Sequence, residues 1–178
     1  MKLISESLYK NLLRESGIRC ASVSDGVGNE LTYVKPPLRT IVISLPTGHS
    51  KANVEGIIAR VLSLEDEWLL IPRYGNASNL RFPECQTEEP AIAFGASERQ
   101  RLTTYLCSRP MSLETCTADL YVLSGSGRKL IVWDHHTAEA GLDVQLVDID
   151  AASQLLVSLN EFGAELEVYH VDCQAESH

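Results

Sequence analysis

No part of this 178-residue chain is apolar for long enough to cross a bilayer, since a spanning helix needs about 20 consecutive apolar residues. A cluster of basic residues is also missing: 15 lysines and arginines are scattered among 24 acidic residues, for a net charge of −9. The phosphates of a duplex repel such a surface, so no nucleic-acid partner is expected. Cysteines at metal-binding spacing are lacking too. Cys20, Cys85, Cys107, Cys116 and Cys173 are odd in number and none forms a Cys-x-x-Cys pair. That argues against a zinc ribbon or a disulfide framework and for free thiols in a reducing compartment. Met1-Lys2 leads into an amphipathic segment without the apolar run of a secretion signal. The expectation is a cytoplasmic protein without membrane contact, whose acidic surface suits solubility or a basic protein partner. No repeat, low-complexity tract or linker divides the chain, so one domain over 1–178 is expected. A chain of this length buries roughly 70% of its unfolded surface, and 44% hydrophobic residues suffice for a core without metal or disulfide.

What is present is mostly periodic pattern. Ile4, Leu8, Leu12 and Leu13 suggest a first helix, with Gly17 as its C-terminal cap. Residues 20–24 and 31–34 flank Asp25-Gly26-Val27-Gly28-Asn29 as a hairpin. Residues 39–45 read as a buried strand. Val54, Ile57, Ile58, Val61 and Leu62 make the apolar stripe of a second helix beginning after Ser50. A short strand over 68–71 precedes an aperiodic stretch, 73–89, read as a long loop. After a strand at Ala91–Phe94, Ser97-Glu98-Arg99-Gln100 matches a capping box before a helix buried through Leu102, Tyr105 and Leu106. Residues 120–123 and Lys129–Trp133 form a second hairpin around Ser124-Gly125-Ser126-Gly127. Leu142, Val144 and Leu146 alternate with Asp143 and Gln145 in a half-exposed strand. Asp148 or Asp150 can cap a helix carrying Leu155, Leu156, Leu159 and Phe162, closed by Gly163. Leu166 and Val168 alternate with Glu165 and Glu167 in a closing strand. Strands in consecutive groups predict the α+β class: a mostly antiparallel sheet with about four helices packed against it.

Chemistry concentrates at one place. The apolar run Leu130-Ile131-Val132-Trp133 ends in Asp134-His135-His136, three adjacent groups able to bind a metal or move a proton. The tripeptide resembles the signature of the DHH phosphoesterases, which implies a small metal-dependent hydrolase holding a divalent ion; independently of that likeness, His170 on the last strand could serve as a third ligand. Three ligands in sequence alternate across an extended strand, so at most two converge unless the backbone turns. That family also carries an earlier His/Asp-rich motif, and none precedes residue 130 here; His49 has no neighbouring aspartate. The reading preferred on these grounds is non-catalytic, with no cofactor, Asp134 capping the loop after the strand.

A second likeness covers about a quarter of the chain. Gly127 through Trp133-Asp134-His135, a polar loop, and an acidic residue opening a helix with Leu155, Leu156 and Leu159 are similar to the C-terminal half of SUKH-superfamily domains. The resemblance implies a protein-binding domain of the bacterial immunity type, which inhibits a toxin by occupying it. The chain departs from the pattern in lacking Leu-Pro and Asn-Gly after the first helix and in placing a strand after the last one.

Other candidates have plainer explanations. No cysteine has a local signature of activation, and Ser124-Gly125-Ser126-Gly127 belongs to a hairpin turn and is no nucleophile elbow. Arg99 or Arg101 beside the Phe94-Gly95-Ala96-Ser97 junction could meet an anion. Glu65-Asp66-Glu67 and Glu88-Glu89 read as solvated surface. The 73–89 loop, with Arg73 and Tyr74, could serve a small molecule. The patch that draws the argument is acidic: if strands 142–147 and 164–171 are neighbours, Asp143, Glu165 and Glu167 share one exposed face. With Trp133, they form the expected surface for a basic protein partner.

Overall fold

The computed structural model describes residues 1–22, 28–35, 39–44, 51–80, 82–108, 120–133, 142–147, 149–160 and 165–170. Ten strands and four α-helices alternate along them: β1 (Lys2–Ile4), α1 (Glu6–Glu15), β2 (Ile18–Ser22), β3 (Asn29–Tyr33), β4 (Arg39–Ser44) and α2 (Lys51–Leu62) come first. There follow β5 (Trp68–Pro72), β6 (Ala91–Phe94), α3 (Arg99–Ser108), β7 (Leu120–Ser124), β8 (Lys129–Trp133), β9 (Leu142–Leu146), α4 (Ile149–Leu159) and β10 (Glu165–His170). Eight strands join one sheet in the order β1-β6-β5-β7-β8-β9-β4-β10, and β2 and β3 pair as a separate hairpin. Every pairing among them is antiparallel. The α+β class with a mostly antiparallel sheet and four helices is therefore the fold observed.

The sheet divides the core into two layers. On one side α2, α3 and α4 bury Ile57, Val61, Leu62, Leu102, Leu106, Leu155 and Leu159 against Leu70, Ile92, Phe94, Val122, Ile131, Ile41 and Val144. On the other, Tyr9 and Leu13 of α1 and Ile18 and Leu31 of the hairpin pack on Leu69, Ile71, Ala93, Tyr121, Leu123 and Leu130. β5 is covered on both faces, which is why Trp-Leu-Leu-Ile-Pro is apolar without alternation and buried throughout. Its Trp68 indole donates to the carbonyl of Leu62 at 2.8 Å, satisfying a carbonyl at the end of α2 that the helix leaves unpaired. The hairpin is tied to the β7–β8 turn by the Tyr33 hydroxyl, which donates to the Gly127 carbonyl at 2.8 Å. Gly127 has φ +69°, and a Cβ there would meet the Ser16 side chain, so the turn seats closely on the end of α1.

Several expectations change in detail. Ile4 belongs to β1, not to the first helix, and α1 turns Tyr9 and Leu13 inward while Leu8 is 40% exposed. Gly17 does end the helix region, with φ +65° and its N–H donating to the Arg14 carbonyl. The capping box shifts: Ser97 is exposed, and the Glu98 carboxylate accepts instead from the Gly95 N–H at 3.3 Å. Glu98 also pairs with the Met1 ammonium. The stretch 73–89 is no open loop. It holds a 3₁₀ turn at Ala77–Leu80 and sends Ala77, Leu80, Phe82 and Cys85 into the helix-side core. Asp150 lies within α4, and Asp148, Phe162 and Gly163 fall outside the described residues.

Candidate functional site

The acidic strands are not neighbours: β9 and β10 both pair with β4, one on each side. The register nevertheless brings their positions together. Asp143 stands opposite Val132 and Val42, and Val42 stands opposite Glu167, so one row reads Val132–Asp143–Val42–Glu167. Glu165 pairs with Ser44, two residues along β4 from Val42. Residues two apart share a face of a strand, so positions 143, 165 and 167 have the same parity. The intervening positions, Ile41 and Val144, are buried in the helix-side core. The acidic row accordingly belongs to the face turned away from α2, α3 and α4. The core beneath α1 and the hairpin reaches Leu130 and Val132 of β8 on that face.

Positions 143 and 167 are two strands apart, roughly 10 Å at the usual interstrand spacing. Gln145, Thr40 and Tyr169 form the adjacent row of the same parity. The face thus combines carboxylates, neutral hydrogen-bonding groups and an aromatic position.

Trp133 does not join it. Its partner in the ladder is Leu120, which is buried on the helix side, so its parity is opposite to that of Asp143, Glu165 and Glu167. Asp134, His135 and His136 lie outside the described residues. His170 is set apart from the end of β8 that leads to them: it pairs with Arg39, in the row of Leu146 and Lys129 at the start of β8. Trp133 is four residues further on, roughly 13 Å along the strand, and β10 is three strands across. The strand ladder therefore does not bring His170 alongside the end of β8. Among the described residues no group of three His, Cys, Asp or Glu side chains is arranged to hold a metal. Cys20, Cys85 and Cys107 belong to no disulfide; burial pushes the Cys20 and Cys85 thiols above their ordinary range, which disfavours the nucleophilic thiolate.

The other charged candidates are engaged internally. Arg99 donates to the Glu65 carbonyl at 2.9 Å and pairs with Asp66, and Arg101 pairs with Glu84 while lying over the Phe82 ring. Arg73 lies over the Tyr74 ring at 5.6 Å, and its carbonyl accepts from the Asn29 N–H at 2.6 Å. Glu65, read from the sequence as solvated surface, instead accepts from Ser126 and forms an ion pair with Lys129, whose side chain is 6% exposed. These two residues lie 64 positions apart, so no local pattern announced the pair. Comparison with known proteins adds nothing to this geometry: no family model, curated protein or solved structure matches the chain.

Proposed function

We propose that the protein acts by binding another protein, with the face of β9, β4 and β10 opposite the helices as its acidic contact surface. The observation that carries this reading is the row in which Asp143 and Glu167 flank Val42, joined by Glu165 beside Ser44. An apolar centre between carboxylates suits a partner surface in which basic side chains surround an apolar group, and complementary charge accelerates encounter and rejects acidic competitors. The overall charge of −9 acts in the same direction. The likeness of residues 127–135 and the Leu155, Leu156, Leu159 stripe to SUKH domains suggests the class of partner: a bacterial toxin, inhibited because its basic surface is covered. Trp133 is not carried into this surface, because its ladder position has the opposite parity.

The test is quantitative. Proteins retained by the immobilised chain are identified, and the affinity of each purified basic candidate is measured for wild type and for Asp143→Lys, Glu167→Lys and their combination. The reading expects a loss of roughly tenfold or more, about 1.4 kcal/mol, seen chiefly as a slower association that is most marked at low salt. Equal affinity of a folded double variant removes the proposal.

A further inference from the structure

On the covered half of the same sheet face, α1 and β2 together with residues 75–76 and 87–90 enclose an open groove of about 1220 Å³. That is ample for a small ligand, since such sites are commonly roughly 300–1,000 Å³. Tyr9 lines it from α1. The residue is 7% exposed, and its hydroxyl is buried without a hydrogen-bond partner of good geometry. The Cys20 thiol beside it is only a weak acceptor. The hydroxyl is itself enclosed, so Tyr9 contributes to the lining of the groove and offers no donor to its contents.

The charges along the groove are unspent. Arg14 of α1 and Arg19 of β2 line it, as do Glu88 and Glu89 from the segment before β6. Lys10 is already neutralised by Glu6 one turn away, but no ion pair among the described residues engages these other four side chains. Two arginines and two glutamates therefore line the same groove from different elements without neutralising one another.

We propose that this groove binds a small zwitterion of the amino-acid or short-peptide class, its carboxylate held by Arg14 and Arg19 and its ammonium by Glu88 and Glu89. Guanidinium forks match a carboxylate in two parallel hydrogen bonds, and carboxylates take up the donors of an ammonium. A ligand of one sign meets repulsion from half of the set, so selectivity arises from requiring both charges at once.

The experiment follows thermal unfolding of the full chain with the standard L-amino acids and L-alanyl-L-alanine at millimolar concentration, beside their N-acetyl and C-amide derivatives. A ligand that binds only the folded state raises the melting temperature. At least one zwitterion is expected to do so, and neither of its blocked derivatives. The Arg14→Gln/Arg19→Gln and Glu88→Gln/Glu89→Gln variants are expected to bind it roughly tenfold more weakly or worse, with ligand-free stability nearly unchanged. The proposal is overturned if no zwitterion stabilises the protein, if the blocked derivatives stabilise it equally, or if the charge variants bind as wild type does.

Discussion

Lys129 and Glu65 form an ion pair between the first residue of β8 and the turn after α2, with their side chains 6% and 21% exposed. Ser126 donates to the same carboxylate at 2.9 Å, so one acid holds the β7–β8 turn and the buried ammonium together. Removing one partner of an enclosed pair leaves a charge without compensation, which typically costs about 3–5 kcal/mol. Glu65 keeps some solvent access, so Glu65→Ala is expected to cost about 2–3 kcal/mol in urea unfolding, below that range. Lys129→Met retains the apolar stem and leaves only the better-solvated acid, and its loss should be smaller. A Glu65→Ala variant as stable as wild type would show that the pair contributes nothing.

How much of this was legible in the sequence depends on the range of the interaction. Alternation located β9 and β10 closely, and the stripe through Ile57, Ile58, Val61 and Leu62 located α2, because side-chain period follows backbone geometry; β8 was located by the apolar run after the Ser124–Gly127 turn. Strand order is set by contacts far apart in sequence, so nothing local placed β4 between β9 and β10. The acidic face was readable as shared parity of Asp143, Glu165 and Glu167, but not as a row with Val42 at its centre. Burial of Ala77, Leu80, Phe82 and Cys85 escaped because an irregular segment reaches the core without a period. The groove beneath α1 left no signal either: Tyr9, Arg19 and Glu88 meet only through the docking of the hairpin.

The first helix offers a direct check on which stripe faces inward. Leu13 is 4% exposed and Leu8 is 40% exposed, although both belong to the same apolar spacing. Leu13→Ala is expected to cost about 2–5 kcal/mol through lost burial and the cavity left behind. Leu8→Ala should remain within about 0.5 kcal/mol of wild type. Comparable losses at both positions in denaturant unfolding would contradict the docking of α1.

Acid stability should depend on Glu98. A hydrogen bond from the Met1 ammonium, together with the Gly95 N–H, holds its carboxyl below the ordinary value of 4.5. A carboxyl depressed in the folded state stabilises fully above its unfolded pKa, and that contribution fades as pH falls through the folded one. Glu98→Gln is therefore expected to reduce stability near neutral pH and to flatten the decline below about pH 4.5. Chemical unfolding measured from pH 7 to pH 3 resolves both effects, and an unchanged acid slope would remove Glu98 from the account.

Alkaline stability should depend on Tyr9 and Tyr33. Burial pushes both phenols well above their ordinary value of 10.0, so they stay protonated in the folded protein after the unfolded chain begins to ionise. Unfolding then releases protons, and stability falls as pH rises above about 10. The two residues separate at neutral pH. Tyr33→Phe forfeits the bond to the Gly127 carbonyl and should cost about 1 kcal/mol, whereas Tyr9→Phe removes a hydroxyl that has no such bond and should be neutral or stabilising. Each substitution should also make the alkaline decline shallower. If Tyr9→Phe destabilises the protein as much as Tyr33→Phe at pH 7, the Tyr9 hydroxyl has a hydrogen-bond partner in solution.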